Sequence, residues 1–82
     1  AYSGNLYYVD NEERMVVIKD KSGNLVEIPY FDDAIFCNRD KALTVEELNS
    51  QWVDKEVYVF TIIKRTGTVS RAYRIQLVDK GE

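Results

Sequence analysis

Apolar and polar positions alternate along most of this chain in short runs broken by turn residues, a pattern of strands rather than helices. Residues 5–10 (Asn-Leu-Tyr-Tyr-Val-Asp) predict a first strand, rich in the aromatic and β-branched types that suit a pleated surface. Polar residues 10–13 turn the chain. Residues 14–19 (Arg-Met-Val-Val-Ile-Lys) are apolar for too long to alternate, which predicts a central second strand covered on both faces for part of its length. Asp20-Lys-Ser-Gly-Asn24 is the clearest turn, because Gly23 takes positive φ readily and Asp20 and Asn24 bond their own backbone. In the third strand, residues 25–30, Val26, Ile28 and Tyr30 alternate with Leu25, Glu27 and Pro29. Pro29 has no N–H to give to a ladder, so it belongs at a strand end, an edge or a bulge. Past Asp32-Asp33, residues 34–38 predict a short fourth strand, closed by Arg39-Asp-Lys41.

One segment breaks the β pattern. Thr44-Val-Glu-Glu-Leu48 places a threonine three residues before a glutamate, the spacing of a capping box in which each side chain bonds the other residue's amide, with Leu43 and Leu48 placed as a hydrophobic staple. This predicts a single helical turn near residues 44–49, ended by the strand-like Trp52-Val53 and the Asp54-Lys55 turn. Residues 56–64 and 68–78 predict the two longest strands, joined at Arg65-Thr-Gly67. In the last of them Val69, Tyr73, Ile75 and Leu77 share one parity. Ala72 falls on the polar parity, so it is either a small outward residue or the mark of a bulge. Six short antiparallel strands with one helical turn before the fifth predict an all-β fold, a small closed or nearly closed barrel of OB-like or SH3-like kind. A two-sheet sandwich is the alternative, although 82 residues is short for the roughly 100 of immunoglobulin-type domains.

The length predicts one domain over residues 1–82, and because the chain begins at Ala1 we expect it to be a piece of something longer. The formal charge of −3 gives no overall attraction to phosphate backbones or anionic lipid, but the average hides an asymmetry. Residues 55–78 hold five bases (Lys55, Lys64, Arg65, Arg71, Arg74) against one acid, Glu56, so the final hairpin is a basic strip on an acidic body. No stretch approaches the roughly 20 apolar residues of a membrane span, so no membrane insertion is expected. With one cysteine, Cys37, there is no internal disulfide to predict.

The spacing of Gly4-Asn-Leu6 and Val9-Asp10, Val17-Ile-Lys-Asp20 with Ser22-Gly-Asn24, Ala34-Ile35, Leu43-Thr44, Glu47-Leu48, Val57-Tyr-Val59 and Ala72-Tyr-Arg-Ile75 resembles a class of small OB-like or SH3-like β-barrel modules in secreted and cell-surface proteins of bacteria. The resemblance covers nearly the whole chain and consists of hydrophobic spacing and turns. Where such modules have a glycine before the fifth strand, this chain has Val53-Asp54-Lys55; Asp54 tolerates a left-handed backbone better than most residues. The resemblance implies a non-enzymatic interaction or spacer module of a larger bacterial extracellular or cell-surface protein, whose partner is another protein or a neighbouring domain.

The chemistry of the chain agrees with a non-enzymatic role. There is no histidine, which removes the commonest general base and every histidine-containing triad. Cys37 has no basic neighbour to activate it and reads as a small strand residue. The pairs Glu12-Glu13, Asp32-Asp33 and Glu46-Glu47 point their carboxylates apart on a strand or a helical turn and read as solvated turns. A calcium site from Asp32, Asp33, Asn38 and Asp40 lacks the twelve-residue loop pattern with its terminal glutamate, and no metal or cofactor is expected. The alternative function is an OB-like single-stranded nucleic-acid binder built on the basic hairpin, with Tyr58, Phe60 and Tyr73 to stack bases, Arg71 and Arg74 beside them and Lys64 and Arg65 at the tip. The low pI near 4.9 opposes it, since such binders commonly exceed about 9. The same seven residues are the candidate protein-binding surface. Six tyrosines, three phenylalanines and a tryptophan are first expected as core and cross-strand pairs. A barrel this small cannot enclose them all, so an exposed aromatic face is the second expectation.

Overall fold

The computed structural model of the chain describes residues 2–39, 41–62 and 71–78. Strands β1 (Tyr2–Asp10) and β2 (Met15–Lys19) form an antiparallel pair, and a turn leads into β3 (Leu25–Asn38), which pairs with β2. That turn forms as its composition requires: Gly23 adopts a φ of 87°, and the Asp20 carboxylate accepts from the N–H groups of Ser22 and Asn24, each at 2.9 Å. Pro29 occupies the register position opposite Met15, where the β2–β3 ladder ends. The two-residue β4 (Lys41–Ala42) folds back onto the end of β3 and leads to the helix α1 (Val45–Gln51). β5 (Glu56–Ile62) then pairs antiparallel with both β1 and β6 (Arg71–Leu77), while β6 runs parallel to β3. The fold is mostly β, one sheet of six strands with one short helix among the described residues. Its pairings pass from β1 to β2, β3, β6 and β5 and return to β1.

The third and fourth strands read from the sequence are a single strand. β3 runs 14 residues straight through Asp32-Asp33, and what those residues interrupt is its register with β6, which slips between Tyr30 and Ile35. Two neighbouring acids take the chain out of the ladder without taking it out of the extended conformation. Asp32 instead pairs with Arg14, an exposed ion pair worth at most about 1 kcal/mol. The sixth strand is therefore β4, whose Lys41 falls in the closing segment Arg39-Asp-Lys41 expected from the sequence.

The core gathers Leu6, Val9, Val16, Ile18, Ile28, Leu48, Val57, Val59, Ala72, Ile75 and Leu77. Two β-bulges set which side chains reach it. On β1, Leu6 pairs with Ile18 and Tyr8 with Val17, so Tyr7 is an extra residue, and Leu6 and Val9 both face inward although three positions apart. On β6, Phe60 pairs with Arg74 and Thr61 with Ala72, so Tyr73 is the extra residue and both Ala72 and Ile75 are wholly buried. The bulge reading of Ala72 is thus the one the structure takes, and Tyr73 does not share the inward face of Ile75 and Leu77.

α1 is longer than the single turn read from the sequence but starts where expected. The Thr44 hydroxyl accepts from the Glu47 N–H at 3.1 Å, and the Glu47 carboxylate accepts from the Thr44 N–H at 2.9 Å, which completes the capping box. Leu48 is fully buried, a contribution of roughly 1.5–3 kcal/mol, with Leu43, Val45 and Trp52 packed against the same core. The helix also binds β1 directly: the Asn49 side-chain amide accepts from the Val9 N–H at 2.8 Å and donates to the Val9 carbonyl at 2.9 Å. Next to it the Leu6 N–H donates to the Lys55 carbonyl and the Leu6 carbonyl accepts from the Asp54 N–H, both at 2.8 Å. A side chain and a turn thus take the place of a neighbouring strand along β1 after Asn5. Asp54 makes this turn in the left-handed region, with a φ of 71°.

Candidate binding face

Backbone register decides the composition of the outer surface of β5, β6 and the second half of β3. On β5, Val57 and Val59 are wholly buried, so Tyr58, Phe60 and Ile62 project from the opposite face. Across the sheet Tyr58 stands beside Gln76, Phe60 beside Arg74, and Ile62 beside Arg71. The parallel pairing with β3 adds Ile35 next to Arg74 and Cys37 next to Gln76. Tyr58 is 42%, Ile62 50%, Tyr73 44% and Ile35 52% exposed, which is high for large apolar side chains in a chain this small. Phe60 is half-buried, and its ring centroid lies 6.4 Å from that of Tyr73, with the planes tilted by 39°.

The middle of this face is basic, while the acids Asp33 on β3 and Glu56 on β5 share its parity. Arg71 is exposed, and Arg74 is half-buried, flanked in register by Phe60 and Ile35. The Nε of Arg74 is shielded from water and meets no acceptor, which leaves a charged donor short of a bond it ordinarily makes. Neither arginine forms an ion pair with a described residue. Of the seven residues singled out in the sequence, Tyr58, Phe60, Arg71, Tyr73 and Arg74 thus lie on one surface, while Lys64 and Arg65 lie outside the described residues.

Ile35 and Ile62 join the face beyond the residues expected from the sequence: Ile62 follows from its parity with Tyr58 and Phe60, and Ile35 from the register of β3 with β6 after the slip past Tyr30. A second exposed aromatic group stands at the β1 bulge. Tyr7 and Tyr8 meet edge to face with centroids 6.0 Å apart, and the Lys19 ammonium lies 5.9 Å from the centre of the Tyr7 ring. Near it, an open groove of about 370 Å³ is lined by Ser3, Gly4, Asn5, Lys19, Asp20, Lys21 and Glu56. The groove mixes both charges, and the Asp20 carboxylate is already committed to its turn.

The remaining candidate chemistry is dispersed. Cys37 is buried, and Glu47 is used by the helix cap. Asp32 and Asn38 stand six positions apart on the extended β3, a separation of roughly 20 Å that no single cation bridges, and Asp40 lies outside the described residues. Among the described residues no group of three or more histidine, cysteine, aspartate or glutamate side chains is placed to hold a metal ion. Tyr30 has its phenol held above the ordinary value by burial, the nearby Arg14 opposing and Asp10 adding to the effect. Its hydroxyl lies 3.5 Å from the Asp10 carbonyl and 3.4 Å from the Asn11 Oδ1, inside the fold rather than in a cleft. No helix among the described residues is long and apolar enough to cross a membrane. No family model matches the sequence, and neither a curated protein nor a solved structure is found to be similar to it.

Proposed function

We propose that the chain is an OB-like small barrel that serves as a non-enzymatic interaction module, binding a protein partner through the outer face of β5, β6 and the second half of β3. The observation that carries this reading is the group Tyr58, Phe60, Ile62, Tyr73 and Ile35, turned outward around Arg71 and Arg74. Aromatic residues and arginine are enriched at the centres of protein interfaces, where large rigid rings give area and arginine gives directed hydrogen bonds. The OB-like arrangement is supported by the circuit of pairings, by the parallel β3–β6 step that a simple up-and-down barrel lacks, and by the helix between β3 and β5. A place in a larger extracellular or cell-surface bacterial protein is supported by the resemblance in hydrophobic spacing alone.

Single-stranded nucleic acid is the second reading, and the OB-like circuit is what favours it. OB folds bind oligonucleotides chiefly across strands 2 and 3. Here the residues of those strands on the side away from Val16, Ile18 and Ile28 are Met15, Val17 and Lys19 against Pro29, Glu27 and Leu25: one base, one acid and no aromatic ring, with Val17 itself buried. Tyr8 is adjacent on β1, but the surface as a whole is not a basic stacking platform. Titration of a fluorescein-labelled oligothymidylate at low salt separates the two readings. The interaction reading expects no saturable binding in the micromolar range; micromolar or tighter binding that weakens steeply with added salt overturns it.

A further inference from the structure

We propose that the face around Arg74 takes a protein segment bearing carboxylates among apolar side chains, with the acids seated on Arg71 and Arg74 and the apolar groups on Tyr58, Phe60, Tyr73 and Ile35. The proposal rests on the interaction reading above and names its partner by chemistry. Charge complementarity at Arg74, whose buried Nε has no acceptor, carries it. The two arginines stand in the middle of this surface, with the acids Asp33, two positions before Ile35, and Glu56, two before Tyr58, on the same parity, and neither arginine has an ionic partner among the described residues. Arg74 is held half-buried between two apolar neighbours, with its Nε already shut from water. A guanidinium in such a place has lost part of its hydration and is matched by a carboxylate, whose two oxygens accept from its fork of N–H groups.

The other occupants fit less well. In a two-fold dimer whose axis passes through the middle of this face, arginines are brought toward arginines. A sugar or a run of bases needs a flat ring surface, whereas the Phe60 and Tyr73 planes are tilted by 39°. A polyphosphate chain also meets the acidic remainder of the molecule, six bases against thirteen acids outside residues 55–78. One or two carboxylates within an apolar segment need meet only Arg71 and Arg74.

The test pans a phage-displayed random dodecapeptide library on the whole 82-residue chain and measures recovered peptides by nitrogen-15 NMR titration. The expected result is enrichment of peptides that combine aspartate or glutamate with aromatic or branched residues, with shift changes centred on β5, β6 and Ile35. Binding weakens by about tenfold or more in Arg74→Gln and in Arg71→Gln with Arg74→Gln, the scale of a lost charge-assisted bond, while the amide spectrum keeps the folded pattern. As a second variant, Tyr58→Ser tests the apolar part without touching charge and should also weaken binding. Recovered peptides that lack acids, or that bind unchanged to both arginine variants, overturn the carboxylate proposal and leave the interaction reading standing if their shifts still fall on this face. Failure to enrich any peptide, or binding of the labelled oligonucleotide to the same residues, overturns both. A concentration-dependent dimer that disperses in Arg74→Gln or Tyr58→Ser would assign the face to a second copy instead.

Discussion

Gly4 shows how much a single position decides. Asn5 pairs with both Lys19 on β2 and Glu56 on β5, so β1 changes neighbours here and its backbone runs close against β2. A Cβ at Gly4 would lie 2.6 Å from the Lys19 carbonyl oxygen and 3.3 Å from Ile18 Cδ1, and the first of these is backbone that cannot swing aside. Gly4→Ala should therefore cost about 1–3 kcal/mol, read as a melting temperature lower by roughly 4–8 °C for each kcal/mol. Tyr30 supplies a residue-scale prediction in pH. Its phenol ionises above the ordinary value of 10.0 in the folded chain, chiefly because it is buried, so the unfolded chain releases that proton first. Stability from this group is full below pH 10.0 and is lost as pH rises through the higher folded value. In Tyr30→Phe the stability loss measured by urea denaturation between pH 9 and pH 11 should be shallower than in the parent chain. At neutral pH the variant should lie within about 1 kcal/mol of the parent, because the hydroxyl's contacts at 3.4 and 3.5 Å are long.

At the scale of the element, the helix and its attachment separate what the sequence reveals from what it hides. The cap is local: four residues carry both partners of the box, and Thr44 and Glu47 bond as their spacing indicates. Thr44→Ala should cost about 1 kcal/mol in denaturant titration and leave binding at the arginine face unchanged. Asn49 acts across 40 positions, and nothing in its neighbourhood announces that its amide will stand in for a strand beside Val9. Asn49→Ala removes two bonds from a half-buried backbone and should cost more than Thr44→Ala, roughly 2–3 kcal/mol, with faster amide exchange at Val9 as the local readout. The strands follow the same division. Val26, Ile28 and Tyr30 alternate as a pleat requires, and their inward face was readable. Tyr7 was not, and at Tyr73 the parity of Ala72 left a bulge as one of two readings, because a bulge resets the phase and its position depends on the partner strand. The trace each bulge leaves is a pair of inward residues three apart, Leu6 with Val9 and Ala72 with Ile75, which is legible only once the strand is known. The candidate face was half legible for this reason: the rings on β5 follow from parity with Val57 and Val59, whereas Tyr73 and Ile35 follow from register.

At the scale of the whole molecule, the chain has a radius of gyration of 12.0 Å, close to the roughly 12 Å of a packed single domain of this length. β5 is the shared neighbour of the first and last strands: Tyr2 stands opposite Val59 and Leu77 opposite Val57. β1 and β6 both run antiparallel to β5, so they point the same way on its two sides. A pull between Tyr2 and Leu77 drags β1 backward and β6 forward along the strand between them. The ladder hydrogen bonds, which lie across the strands, are then loaded in shear and together, rather than being opened one after another from an end. Stretched between these two positions, a single molecule should yield at a clearly higher force than when it is pulled between Asn5 and Lys19, the pair at the open end of the β1–β2 ladder, which opens that ladder one bond after another. A module joined in series with its neighbours would carry tension along its strands, and the candidate face on β5 and β6 would stay assembled under load until the moment the whole domain gives way.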